Sequence, residues 1–202
     1  MGNKETKVGI VSYGIYLPKD YETAEEIAKK SGMAAGEITS ELGLVKKHKP
    51  GAKDFPVTMA VQAALQALEN SKGLVSPDDI DVVLWSGDEY KDYIAQTASI
   101  RIQEEVKAFK AWAFDIIGQG VTTLTGIRLA RDLMAGDSSV NTVLLAGGTR
   151  DIDLVDYTNP DTRWMLPTSV SGAAIILRRD FVNNSIMGMA ALVDPEMADE
   201  AY

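Results

Sequence analysis

The sequence predicts a layered α/β domain, and three observations predict it. Residues 7–13, 80–85, 112–117, 141–146 and 171–177 are short runs rich in branched, aromatic and small apolar residues, the composition of strands. Between the first four of them lie segments whose apolar residues recur at helical spacing. Glycine, proline and aspartate punctuate the boundaries between the two kinds of segment. Alternating strands and helices build a sheet covered by helices. The last strands have no helix between them, so they should pair antiparallel.

Taken in order, residues 7–13 form the first strand, stopped by Gly14 and Pro18. A helix opened by Glu22 or Thr23 carries Ala24, Ile27 and Ala28 on one face and closes at Gly32. A second short helix covers residues 35–42, and residues 44–53 are a loop or short extended piece. Asp54 stands where an aspartate would cap the next helix, with Pro56 in its first turn and Val57, Val61, Ala64, Leu65 and Leu68 on one face. Residues 80–85 are almost wholly apolar and read as a strand covered on both sides. The stretch Ser86-Gly87-Asp88-Glu89-Tyr90 follows it directly, at the strand end where α/β folds place working residues. A helix over about 94–106 leads to the strand at 112–117, which reads as buried. After the strand at 141–146, an irregular acidic stretch at 149–167 is long enough to be a functional loop. Residues 185–193 are the expected antiparallel neighbour of the strand at 171–177.

Composition narrows the function. The chain has 202 residues, enough for one sizeable core, and a formal net charge of −9 that argues against a nucleic-acid surface. Lys46-Lys47-His48-Lys49 is its basic cluster and reads as a solvated turn. Zero cysteines exclude disulfides, thiolate metal sites and a thiol nucleophile together. Asp151-Ile152-Asp153-Leu154-Val155-Asp156 lacks the spacing of a calcium loop, and no metal site is expected. No apolar run reaches the length of a membrane span, so a cytoplasmic protein without membrane contact is expected. Met1 to Thr6 matches the short N-myristoylation pattern.

The turn at Gly118-Gln119-Gly120 joins a strand to a helix beginning near Val121. Such a turn presents a side chain to helix amides and dipole, which stabilise negative charge and lower a thiol pKa. Gly120 brings no side chain to that position. Thr122, Thr123 and Thr125 lie close by, but no base stands beside them in sequence to activate a hydroxyl.

Several motifs in shared order carry a resemblance: Val8-Gly9-Ile10 with Tyr16-Leu17-Pro18, Gly43-Leu44 before the basic turn, Phe114-Asp115-Ile116, Gly147-Gly148 after a strand, and Gly172-Ala173-Ala174. Over about residues 7–193 the chain resembles the N-terminal half of a thiolase-superfamily condensing enzyme, of the hydroxymethylglutaryl-CoA synthase and β-ketoacyl-ACP synthase III groups. The resemblance implies a thiolase-like single half, layered α/β with a mixed five-stranded sheet around a buried helix, in which residues 1–202 form a single domain of N-terminal type.

In that family a cysteine at the turn takes the acyl group, and its position falls on Gly120. A glutamate in a Gly-x-Glu context serves as general acid and base, and Glu89 in Gly87-Asp88-Glu89 matches it, with Tyr93 downstream. The bland alternative for Glu89 is a surface acid. Arg163 fits the family arginine that contacts the CoA nucleotide, whereas Glu37 and Glu41 replace a tryptophan and an arginine with acids that repel phosphate. No cofactor is required, and a CoA or acyl-carrier thioester is the implied substrate class. Two functions stay open. The chain contributes half of an acyl-transfer site that lacks its nucleophile, or it is a non-catalytic homologue that pairs with an active condensing enzyme or a separate second half. Implied partners are a homodimer or a heteromer with a thiolase-like unit.

Overall fold

A computed structural model describes residues 6–89 and 91–197. Most of the N-terminal Met1–Thr6 pattern therefore lies outside the described residues. Five strands form a mixed sheet: β1 (Val8–Tyr16), β4 (Val82–Trp85), β5 (Trp112–Asp115), β6 (Thr142–Thr149) and β7 (Ser171–Arg179). Their order across the sheet is β1-β7-β6-β4-β5. β7 is antiparallel to both β1 and β6, while β4 runs parallel to β6 and β5. The expected α/β sheet is thus present. The partners of β7 are β1 and β6, and residues 186–193 form no strand; Ser185 makes an isolated bridge to Gly9.

Helix α3 (Pro56–Asn70) buries Val57, Ala60, Val61, Ala63, Ala64 and Ala67 against β1, β6 and β7. Its approach depends on small strand residues. A Cβ on Gly14 would stand 2.0 Å from the Ala63 carbonyl oxygen, and one on Gly172 would stand 2.3 Å from that of Met59. Backbone contact that close leaves no room for any side chain. The cap of α3 differs from the sequence expectation. Asp54 accepts from Gly51 N and the Tyr16 hydroxyl instead, and Asp92 comes from a distant loop to accept from Val57 N at 2.7 Å.

Helix α5 (Thr122–Gly136) packs on the sheet through Gly126, Ala130 and Met134, with Leu124 exposed on its other side. Helix α4 (Ala98–Val106) starts later than the apolar pattern suggested and covers β4 and β5. β5 is an edge strand, and Trp112 at its start is 60% exposed. The aromatic run that reads as a buried strand therefore lies partly open within this chain.

Residues 21–48 form a small lobe. Strands β2 (Tyr21–Thr23) and β3 (Lys46–His48) pair antiparallel, and helices α1 (Ala24–Ser31) and α2 (Ala35–Glu41) pack beside them. Thr23 and Glu26 form a reciprocal cap on α1, and Gly32 ends it at φ 71°, where glycine carries no Cβ penalty. Leu166, from the long stretch after β6, completes the core formed by Ala24, Ile27, Ile38 and Leu44.

Candidate functional site

Parallel strands end together, and the chain leaving them forms a crevice. Here the segments after β4, β5 and β6 surround a cleft of about 230 Å³. Ser86 and Asp88 come from the first segment, Gln119 and Gly120 from the second, and Thr149 from the end of β6. Thr123 of α5 and the strand residues Leu145, Ala173 and Ile175 supply the remaining wall.

The turn before α5 is fixed from within. Gln119 takes φ 54°, a left-handed conformation unusual for a residue with a Cβ. The Thr122 hydroxyl donates to Gln119 O at 2.6 Å and accepts from Gly118 N at 2.8 Å. Those two bonds use Thr122 to hold the backbone. Thr123 reaches into the cleft instead and its hydroxyl lies 3.5 Å from that of Ser86. Gly120 lines the cleft, and a Cβ placed on it would meet no atom within 4 Å. The position has room for a side chain.

The segment after β4 is tethered on both sides. Asp115, at the end of β5, accepts from Ala98 N at 3.0 Å, Ser99 N at 2.9 Å and the Ser99 hydroxyl at 2.7 Å, so it caps α4. Lys91 pairs with the same carboxylate. Burial opposes ionisation of Asp115, but the Lys91 ammonium and the Ser99 donors hold its carboxyl below the usual range. Asp92 is bound at the start of α3, where Thr58 also donates to it at 3.0 Å. Between these tethers and β4, Gly87 lies against the Trp85 ring, and the indole N–H donates to Asp88 O at 3.3 Å.

The structure separates the residues singled out by sequence. Gly120 lines the cleft, Glu89 is exposed and not among the lining residues, and Arg163 is exposed in the 3-10 segment Pro160–Met165. Trp164 beside it is 62% exposed. Glu37 and Glu41 are exposed on α2 and its end. His48, half-buried in the lobe, places Nδ1 2.7 Å from Pro18 O, away from the cleft-lining set. Asp88 stands in the stretch singled out after the strand at 80–85, but sequence reasoning missed that it lines the cleft with the Asp151 charge nearby. Burial raises its pKa, and the Asp151 carboxylate raises it further. The available signal was an acid after each of two strands that proved to be parallel neighbours. Among the described residues, no group of three or more His, Cys, Asp or Glu side chains is placed to hold a metal ion. No helix among them is long and apolar enough to cross a membrane.

No family model matches the chain. Over 100 residues it is 40% identical to the hydroxymethylglutaryl-CoA synthase of Methanococcus vannielii, a match covering 50% of this chain and 28% of that protein. Over 176 residues it is 29% identical to the β-ketoacyl-[acyl-carrier-protein] synthase III of Clostridium tetani, covering 87% of this chain and 50% of that one. The crystal structure of 3-oxoacyl-[acyl-carrier-protein] synthase III from Aquifex aeolicus superposes with a TM-score of 0.76 at 22% identity, over 87% of this chain and 54% of that one. These matches span about half or less of each relative's length. The chain has a thiolase-like fold and is similar to hydroxymethylglutaryl-CoA synthases and to β-ketoacyl-ACP synthases of type III.

Proposed function

We propose that this chain contributes half of an acyl-thioester site of the condensing-enzyme type, in which no covalent acyl intermediate forms at residue 120. The observation that carries this reading is Gly120 itself. It lies in the cleft wall ahead of α5, with open space where a side chain would project. A turn at a helix start stabilises developing negative charge through its free amides, a property that does not depend on the residue at the turn. The site therefore keeps the means to hold a thioester carbonyl while lacking the group that would attack it. Glu89 is the general acid and base of this reading, and Arg163 its nucleotide contact. Neither lines the cleft, so both act at its approaches within this chain. No cofactor is needed, CoA or an acyl-carrier thioester is the ligand, and a cytoplasmic location accompanies it.

Gly120→Cys tests the placement. Under native conditions the new thiol should react with iodoacetamide faster than a free cysteine, because helix amides favour the thiolate. An unreactive thiol in a folded variant would count against the site. The unmodified 202-residue chain should release no CoA from acyl-CoA. Steady release that Glu89→Gln abolishes would overturn that expectation and make the chain an enzyme in its own right.

A second reading is favoured by exposed apolar surface. Val121 and Leu124 near the start of α5 are 60% and 61% exposed, and Leu192 and Val193 are almost wholly so. In that reading the chain is a non-catalytic homologue that binds a second thiolase-like unit, either another copy, an active condensing enzyme or a separate second half.

A further inference from the structure

We propose that the outer edge of β1 is closed to strand addition by two side-chain amides of α3, Gln66 and Asn70, which together take the place of one residue of a neighbouring strand. Neither they nor any residue of β1 lines the cleft, so the closure stands independently of the thioester reading.

Among the described residues β1 is the outermost strand on its side of the sheet, with β7 on its inner flank. A strand in that position turns a row of N–H and C=O groups away from the sheet, available to another chain. Its side chains favour such pairing, since Tyr13 is 61% exposed and Ile15 50%. The outward groups are nevertheless engaged. In an antiparallel ladder, one residue of an added strand donates to the carbonyl of residue i and accepts from the N–H two residues further on. Asn70 Nδ2 donates to Tyr13 O at 2.8 Å, and Gln66 Oε1 accepts from Ile15 N at 2.6 Å. These are the two bonds that one added residue would make, divided between two amides a helical turn apart. Close packing of α3 brings them there. A Cβ on Gly14 would stand 2.0 Å from Ala63 O, and the Ser12 hydroxyl donates to Ala67 O at 2.7 Å.

The first half of the edge is covered by the chain itself. After β7, a turn with Asp180 at φ 56° and Asn184 at φ 52° brings the chain back alongside β1. Ile10 N donates to Asn184 O at 3.2 Å, and Ile186 N donates to Val8 O at 2.9 Å. The register of β1 shifts between Ile10 and Ser12. Outward bonds therefore come from Val8 and Ile10 before the irregularity and from Tyr13 and Ile15 after it. A regular strand, whose groups repeat every two residues, cannot follow both halves. Association with a second thiolase-like unit, in either reading above, then proceeds at another surface.

Amide hydrogen exchange and sedimentation velocity of the full chain test the closure. In Gln66→Ala the Ile15 amide should exchange at least about tenfold faster than in wild type, whereas Gln66→Glu keeps an acceptor and should stay within about twofold. Equal rates in wild type and Gln66→Ala would overturn the proposal. The double variant Gln66→Ala/Asn70→Ala should associate beyond the wild-type state as concentration rises. Adding Tyr13→Lys should reverse that association, because a charge on an edge strand opposes pairing. A double variant that sediments as wild type at every concentration would overturn the closure, and so would association that Tyr13→Lys leaves unchanged. If the double variant does not fold, Gln66→Ala and Asn70→Ala are compared singly with wild type in both measurements and decide on the same outcomes.

Discussion

Lys47 shows how far a residue's surroundings can depart from its sequence context. Within a basic run it reads as solvated, yet its side chain is 2% exposed. Its ammonium donates to Leu166 O at 2.8 Å and lies 4.0 Å from Glu22. Burial pushes its pKa down to about 8, although the Glu22 charge pulls the other way. Burial also opposes ionisation of Glu22, but Lys30 and the Tyr157 hydroxyl outweigh it and keep that carboxyl below its usual value. Tyr157 in turn is raised by burial and by its bond to Glu22. Glu22→Gln should cost about 3–5 kcal/mol, since it leaves a buried ammonium without its countercharge. Urea denaturation near pH 7 measures this, and a loss below 1 kcal/mol would refute it.

The pH dependence of this cluster has a defined sign. The Lys47 pKa is lower folded than unfolded, so above about pH 8 the unfolded chain binds more protons there. Its contribution to stability should therefore rise as pH increases from about 8 towards the ordinary lysine value. Tyr157 acts oppositely once pH passes the ordinary tyrosine value, because its folded pKa is the higher one. Glu22 contributes above the ordinary glutamate value and loses that contribution as pH falls through its lower folded pKa. Lys47→Met, measured between pH 8 and 10, should flatten the alkaline rise.

At the scale of elements, the start of α3 is the informative case. Phe55 at the N-cap offers no side-chain acceptor, and Asp92 fills that role from thirty-five residues away, binding Val57 N and Thr58. One carboxylate thus caps a helix and fastens the segment that leads from β4 to α4. Asp92→Ala should destabilise the protein by about 0.5–2 kcal/mol, the usual cost of a lost N-cap. It should also raise hydrogen exchange across residues 86–97, which Lys91 and Asp115 would then hold alone. Unchanged exchange there would show that Asp92 serves only the helix. β5 illustrates a different limit. Its apolar run signals a surface suited to exclusion of water, but among the described residues only β4 pairs with it.

For the whole molecule, the relevant fact is extent. The chain spans about half of the synthase III relatives, and residues 117, 121 and 124 leave Ile, Val and Leu side chains exposed around the site. Native mass spectrometry of the protein from its own cells should therefore find it bound to, or continuous with, a second thiolase-like unit. A monomer whose mass matches this chain alone would refute the half-site reading. A homodimer would favour the non-catalytic assembly role.

The sequence by itself determined the layers, because strand composition and helical spacing are local properties of neighbouring residues. The strand runs at 80–85 and 141–146 could be read in that way, and so could the turn at Gly120, whereas Gly14, which reads as a strand stop, lies inside β1 because α3 packs on it. The tertiary structure decided which of these meet. The burial of Lys47 depends on Leu166, and the α3 cap depends on Asp92. The meeting of Ser86 and Thr149 in one cleft depends on β4 and β6 being parallel neighbours. Each joins groups far apart in the chain, and the charge state of those that ionise is set by what burial and proximity impose after folding.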